Sequence, residues 1–81
     1  MSDKQVIIYT TPTCHYCKAT KEFFKENNIA YQEHDVQSDT VKRQEMIEKS
    51  GQMGVPVIFV GTDMVIGYDQ ARLKELLGLG A

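Results

Sequence analysis

The chain has 81 residues, 42% of them hydrophobic and 25% charged, with nine Lys and Arg against eleven Asp and Glu for a formal charge of −2. That describes one small soluble domain over 1–81, without the broad basic surface that nucleic acid requires. No apolar run approaches the roughly 18 residues of a membrane span, and the opening MSDKQ carries neither a signal-peptide nor a transit pattern, so the expected compartment is the cytoplasm.

Val6-Ile7-Ile8-Tyr9 is short, β-branched and stopped by Thr10-Thr11-Pro12, which reads as a buried strand at the centre of a sheet. A helical pattern follows, with Thr13 as its expected N-cap and Ala19, Phe23 and Phe24 as its apolar stripe, until Asn27-Asn28 ends it. Tyr31 to Val36 reads as a second strand. A helix between Asp39 and Ser50 carries Val41, Met46 and Ile47 and closes at Gly51, where a left-handed residue is expected. Val55 to Val60 is a further apolar run, interrupted by Pro56. Gly61-Thr62-Asp63 turns the chain, and Met64-Val65-Ile66 returns as a hairpin partner. After Gly67-Tyr68, Asp69 caps a last helix built on Ala71, Leu73, Leu76 and Leu77 and ended by Gly78 and Gly80.

The order is β-α-β-α-β-β-α. A helix between the first two strands favours a parallel crossover, and the tight second turn favours an antiparallel hairpin. The expected fold is α/β: a four-stranded mixed sheet flanked by three helices.

The chain has two cysteines, Cys14 and Cys17. A bridge closing so short a loop adds little chain-entropy stabilisation, which argues against a secreted, disulfide-stapled scaffold. In a reducing compartment a lone C-x-x-C points to redox chemistry or metal binding. Cys14 falls in the first helical turn, where amides lack acceptors and the helix dipole is positive, so its thiolate is favoured. Cys17 lies three residues on, on the same face and one turn inward, able to reach back but less exposed. That asymmetry suits a two-step exchange in which Cys14 attacks a substrate disulfide and Cys17 resolves the mixed disulfide.

Lys18, Lys21 and Lys25 continue along the same side of the helix. They either favour the thiolate and steer an acidic partner, or form a solvated face on which Glu22 pairs with Lys18 and Lys25. His15 is a candidate redox-tuning residue or an exposed one, and Tyr16 is rim or packing. His34 reads as a partly buried structural residue and the methionines as gap-fillers. Structural zinc takes four ligands, whereas the chain offers two thiols, a histidine locked between them and another on a separate strand. The alternative function is therefore a zinc or iron–sulfur module formed by pooling two C-x-x-C pairs in a dimer.

Tyr9-Thr10-Thr11-Pro12-Thr13-Cys14-His15-Tyr16-Cys17, Gly54-Val55-Pro56 and Gly67-Tyr68-Asp69 together resemble the glutaredoxins and glutaredoxin-like redoxins of the thioredoxin superfamily, over nearly the whole chain. The resemblance implies a thioredoxin-like fold and a dithiol–disulfide oxidoreductase, an electron carrier that reduces protein disulfides. It makes Cys14 the nucleophile, Cys17 the resolving thiol and Pro56 a cis-proline facing them, with the Val55 backbone pairing to an extended substrate. Gly67, Tyr68 and Asp69 take the place where glutathione-using relatives receive a carboxylate at a helix N-terminus. No bound cofactor is implied, and glutathione enters as a co-substrate.

The chain departs from the glutaredoxin pattern at three places. His15 stands where a proline is common, Thr11 where a lysine is common, and Gly67-Tyr68-Asp69-Gln70 where Gly-Cys-Asp-Asp is frequent. The missing lysine removes a charge-assisted contact to glutathione worth about 1.5–3 kcal/mol, for which Gln52 could substitute as a neutral donor. Tyr68 is similar to the aromatic residue of redoxins that take electrons from a flavin-containing thioredoxin reductase and pass them to ribonucleotide reductase. Thr11 tilts the expected electron donor towards that flavoprotein rather than glutathione.

Overall fold

A computed structural model of the chain describes residues 4–79. Its elements are β1 (Val6–Thr10), α1 (His15–Glu26), β2 (Gln32–Asp35), α2 (Thr40–Ser50), β3 (Val57–Val60), β4 (Asp63–Ile66) and α3 (Gln70–Leu77). The sheet order is β2-β1-β3-β4, with β1 parallel to β2 and the other neighbours antiparallel. The β-branched β1 is internal, as its continuous apolar run requires, while the polar Gln32-Glu33-His34-Asp35 occupies an edge.

Strand alternation divides the core in two. Val6 and Ile8 join Ile58, Val60 and Val65 beneath Phe23 and Phe24 of α1 and Leu73 and Leu77 of α3. Ile7 and Tyr9 point the other way and pack with Val57 and Phe59 against Met46 and Ile47 of α2. Register holds these sets together, since Ile8 faces Ile58 and Tyr9 faces Val57 across the β1–β3 ladder. The mixed sheet with three helices and its element order match the sequence expectation.

Several local expectations are corrected. The second strand is shorter than Tyr31–Val36. Tyr31 leaves the ladder to pack on Phe24, ring centroids 5.2 Å apart, and Val36 buries its side chain just past the strand while its amide donates to the Thr10 carbonyl at 2.9 Å. Val55 stands ahead of β3, and Asp63 pairs with Val60 as part of β4, which leaves only Gly61 and Thr62 in the hairpin loop. Val41 is exposed, and the apolar contact of α2 with the sheet is made by Met46 and Ile47. Ala71 is also exposed, because the short α3 uses Leu73, Leu76 and Leu77. Of the described methionines only Met46 is a buried filler, whereas Met53 and Met64 face solvent. Gly51 and Gly78 close their helices in the left-handed region, as expected, and Gly80 lies outside the described residues. Among the described residues no helix is long and apolar enough to cross a membrane.

Candidate active site

β1 delivers the chain to a tight turn in which the Cys14 amide donates to the Thr11 carbonyl at 3.3 Å, and α1 begins there. The helix starts one residue later than the sequence suggested. Thr13 is exposed and takes no part, whereas Cys14 is itself the N-cap, with extended backbone (φ −87°, ψ 114°). Its Sγ accepts from the Cys17 amide at 3.0 Å, the third amide of the helix, where a serine or threonine oxygen usually serves. The sulfur therefore lies on the axis of an unsatisfied helix N-terminus.

Cys14 and Cys17 form a disulfide, their Cα atoms 5.2 Å apart, a separation that a bridge spans without backbone movement. The two sulfurs are not equivalent. Cys14 is half-exposed, while Cys17 is buried at 1% exposure. In the dithiol form the Cys17 thiol is pushed up to about 12, first by burial and then by its hydrogen bond with Cys14. A backbone hydrogen bond at Thr11 and the charge of Lys21 pull the other way.

Both cysteines line a cavity of about 250 Å³ with Thr10, Thr11, Pro12, Lys18, Lys21, Glu33 and Asp35. Inside it Glu33 is clamped: the Thr10 hydroxyl donates to its carboxylate at 2.7 Å and the Lys21 ammonium at 2.9 Å. Burial resists ionisation of Glu33, but these two hydrogen bonds and the Lys21 charge outweigh it and hold the carboxyl below its usual range. The same hydrogen bond, against burial, raises Lys21 above the ordinary lysine value. Lys21 thus pairs across to β2. Among the described residues no ion pair joins Glu22 to Lys18 or Lys25, which removes the expectation of a self-paired helix face.

A second hollow of about 370 Å³ lies on the α2 side and shares Thr11 with the first; Val36, Gln37, Thr40, Arg43, Met53 and Val55 complete it. Val55–Pro56 is a cis peptide, and the Pro56 side chain is fully buried. Val55 lies outside the β3 ladder, and no backbone hydrogen bond between described residues outside helices and strands uses its amide or carbonyl. Gln52 does not serve as a donor to this hollow. Its amide group is committed to Gly54, donating to that carbonyl at 3.0 Å and accepting from that amide at 2.7 Å.

The remaining sequence-predicted residues lie around these hollows without lining them. His15 and Tyr16 are exposed on the first turn of α1, Tyr16 at 67%. The Gly67 amide donates to the Pro56 carbonyl at 2.8 Å from a left-handed backbone (φ 83°), which joins the start of α3 to the cis-proline. Tyr68 is half-buried with its ring 6.3 Å from that of Phe23, and Asp69 caps α3 by accepting from the Arg72 amide at 3.1 Å. Sequence reasoning missed Thr10, Glu33, Asp35 and Arg43. The signal for Glu33 was present: alternation puts it on the side of Tyr31, facing α1, where Lys21 follows Cys17 by four residues. Among the described residues no group of three or more His, Cys, Asp or Glu is arranged to hold a metal ion.

Chemically this is an accessible sulfur at a helix cap, a buried partner one turn below, and a two-electron disulfide–dithiol couple between them. Comparison with known proteins agrees with that chemistry. The family model for glutaredoxin matches residues 6–65. The chain is 41% identical over 70 residues to an uncharacterised glutaredoxin-like 8.6 kDa protein in the rubredoxin operon of Clostridium pasteurianum, covering 86% of this chain and 93% of that one. It is 38% identical over 73 residues to glutaredoxin 3 of Escherichia coli strain K12, covering 90% and 88%. Among solved structures, the glutaredoxin of Archaeoglobus fulgidus superposes with a TM-score of 0.82 at 29% identity, covering 91% of this chain and 86% of that one.

Proposed function

The chain belongs to the glutaredoxin family of thiol–disulfide oxidoreductases, and on that premise we propose that it is a dithiol–disulfide carrier that reduces protein disulfides in the cytoplasm, with Cys14 as nucleophile and Cys17 as resolving thiol. The observation that carries the assignment is the inequality of the two sulfurs. Cys14 is partly exposed to an incoming disulfide and caps α1 by accepting from the Cys17 amide at 3.0 Å. Cys17 is buried and holds its proton tightly, so it waits until the mixed disulfide has formed.

The exchange balances as two displacements. The Cys14 thiolate attacks one sulfur of the substrate disulfide, forming the mixed disulfide and expelling the first substrate thiolate. Cys17 then loses its proton to solvent and attacks Cys14 Sγ. The second substrate thiolate leaves, and the Cys14–Cys17 bridge closes. Two electrons have passed to the substrate, and a donor must restore them.

In this reading the Val55 backbone, free of the ladder beside Pro56, pairs with an extended substrate, which lets the site accept many sequences. Gly67, Tyr68 and Asp69 open α3 beside it, where a substrate carboxylate meets helix amides. His15, Tyr16 and Lys18 surround Cys14 and adjust its reactivity and rim. For the donor we favour a flavoprotein reductase over glutathione. Thr11 supplies no charge between the two hollows, and Gln52 is occupied by Gly54, which leaves Arg43 as the only cation lining the second hollow among the described residues. Ribonucleotide reductase is one candidate among the disulfide-bearing targets.

Insulin disulfide reduction tests the assignment, with NADPH supplied through thioredoxin reductase in one arm and through glutathione reductase plus glutathione in the other. Cys14→Ser is expected to be inactive in both arms. Cys17→Ser is expected to lose protein reduction while still forming a mixed disulfide at Cys14. Equal turnover by wild type and Cys14→Ser refutes the assignment, and faster turnover in the glutathione arm reverses the choice of donor.

A further inference from the structure

Resolution places a demand on the fold that attack does not. The sulfur of Cys17 must become an anion while almost wholly shielded from water, and burial opposes that. The charged groups sharing its cavity are Lys18 and Lys21 from α1 and Glu33 and Asp35 from β2. β1 and the loop after it contribute only Thr10, Thr11 and Pro12, which are neutral. Lys18 is exposed. Lys21, one turn below Cys17 on the same helix, is half-buried, and Glu33 holds its ammonium at 2.9 Å. Glu33 is fixed in turn by the buried Thr10 hydroxyl at 2.7 Å.

We propose that the Thr10–Glu33–Lys21 network is the positioning device of the resolving step: it holds one ammonium where it favours the Cys17 thiolate, and the Glu33 carboxylate partly cancels that charge. The proposal rests on Cys17 being the resolving thiol and adds which groups set its speed. Lys21 and Glu33 touch neither substrate nor the exchanging sulfurs; they act through Cys17. The charge of Lys21 has the required sign, opposing the rise that burial causes at Cys17.

An ion pair joining α1 to β2 could equally be a structural pin. The two roles differ in the sign of their effects. Removing either partner of a pin loosens the same contact, whereas removing the partners of an electrostatic device shifts Cys17 in opposite directions. Below its pKa a thiol gains about tenfold in anion per unit of lowering but loses intrinsic nucleophilicity, which leaves about a threefold gain in rate per unit.

The probe is the aromatic disulfide DTNB mixed with the fully reduced protein in stopped flow. Cys14 releases a first equivalent of the coloured thiolate as the mixed disulfide forms, and Cys17 releases a second as the internal bridge closes. The ratio of second-phase to first-phase rate is expected to fall for Lys21→Gln and to rise for Glu33→Gln, whose amide oxygen still accepts from Thr10 and Lys21 but carries no charge, by up to about threefold at neutral pH. Lys21→Arg, which keeps the charge, is expected to stay near wild type, and urea unfolding of each variant confirms that it is folded. Changes in the same direction for the Gln variants, or no change in a folded pair, overturn the proposal and leave the carrier function standing. A second release that is absent, or that persists in Cys17→Ser, overturns the carrier mechanism and this inference together.

Discussion

Because Cys14 is both the proposed nucleophile and the N-cap of α1, chemistry and stability can be separated at one atom. Its Sγ accepts from the Cys17 amide, an otherwise orphan donor of the first turn, and the reduced protein is expected to keep that cap. Serine offers a smaller and better acceptor at that position, whereas alanine offers none. Losing an N-cap side chain costs about 1 kcal/mol, and in a domain of this size that lowers Tm by about 4–8 °C. The experiment is thermal and urea unfolding of wild type, Cys14→Ser and Cys14→Ala, all kept reduced with a phosphine so that no disulfide enters the comparison. Both variants are expected to be inactive in disulfide reduction. Cys14→Ser is expected to unfold at or slightly above the wild-type midpoint, and Cys14→Ala about 1 kcal/mol below it. If alanine matches serine in the reduced proteins, the sulfur does not cap the helix, and the account of why it lies at the helix mouth is wrong.

Tyr9→Phe removes the buried hydroxyl that donates to Glu45, whose carboxyl is held below its ordinary value first by that hydrogen bond and also by Lys49 and Lys42. A depressed carboxyl stabilises above its unfolded value of 4.5, and that contribution disappears as pH falls through the folded value. Glu45 remains partly exposed, so the variant is expected to lose only about 1 kcal/mol at pH 7 and to converge on wild type as pH falls through the folded value of Glu45, by urea unfolding. Tyr9 itself is raised from 10.0, chiefly by burial, so the wild type also loses stability as pH climbs beyond 10, and the variant does not share that decline. A gap that is constant with pH refutes this. Thr11→Lys restores a cation between the two hollows and is expected to lower KM in the glutathione-coupled assay by about tenfold, the value of a modest charge-assisted contact, leaving the thioredoxin-reductase arm unchanged. No change in the glutathione arm removes Thr11 as the determinant.

The architecture was legible because patterning and punctuation agreed. The β-branched run of β1 could only be a central strand, the leucines of α3 could only face the core, and Gly51 and Gly78 marked helix ends. The places where reading failed share a cause: tertiary packing chose among locally equivalent options. Thr13 is as good a cap as Cys14 by propensity, but the turn closed by the Cys14 amide and the Thr11 carbonyl starts the helix at the sulfur. Val41 fits an apolar stripe, but the hydrophobic contact of α2 with the sheet is made by Met46 and Ile47. Gln52 is a reasonable donor until Gly54 claims both ends of its amide. The cysteine pair was readable as a motif, whereas the Thr10–Glu33–Lys21 network was legible only in part: alternation turns Glu33 towards α1, but its meeting with Thr10 depends on sheet order.

The division of labour between the cysteines is accordingly a property of the fold more than of the C-x-x-C spacing. Three residues of helix turn a sulfur through most of a revolution and carry it about 4.5 Å along the axis. Here that step runs from the solvent-facing end of α1 to the helix face that Cys17 shares with Thr20 and Phe24, which are fully buried. While the bridge is closed, Cys17 presents no proton and no charge to that interior. Opening it creates a thiol that must later ionise there, and the compensating charge has to come from a group already fixed in place. Lys21 is the cation on the same helix that lines the cavity of Cys17, and Glu33 of the neighbouring strand holds it there, itself fixed by the Thr10 hydroxyl. A cysteine pair on a helix lacking such an anchored cation would still attack through its first sulfur, but its second would ionise reluctantly, and mixed disulfides would persist.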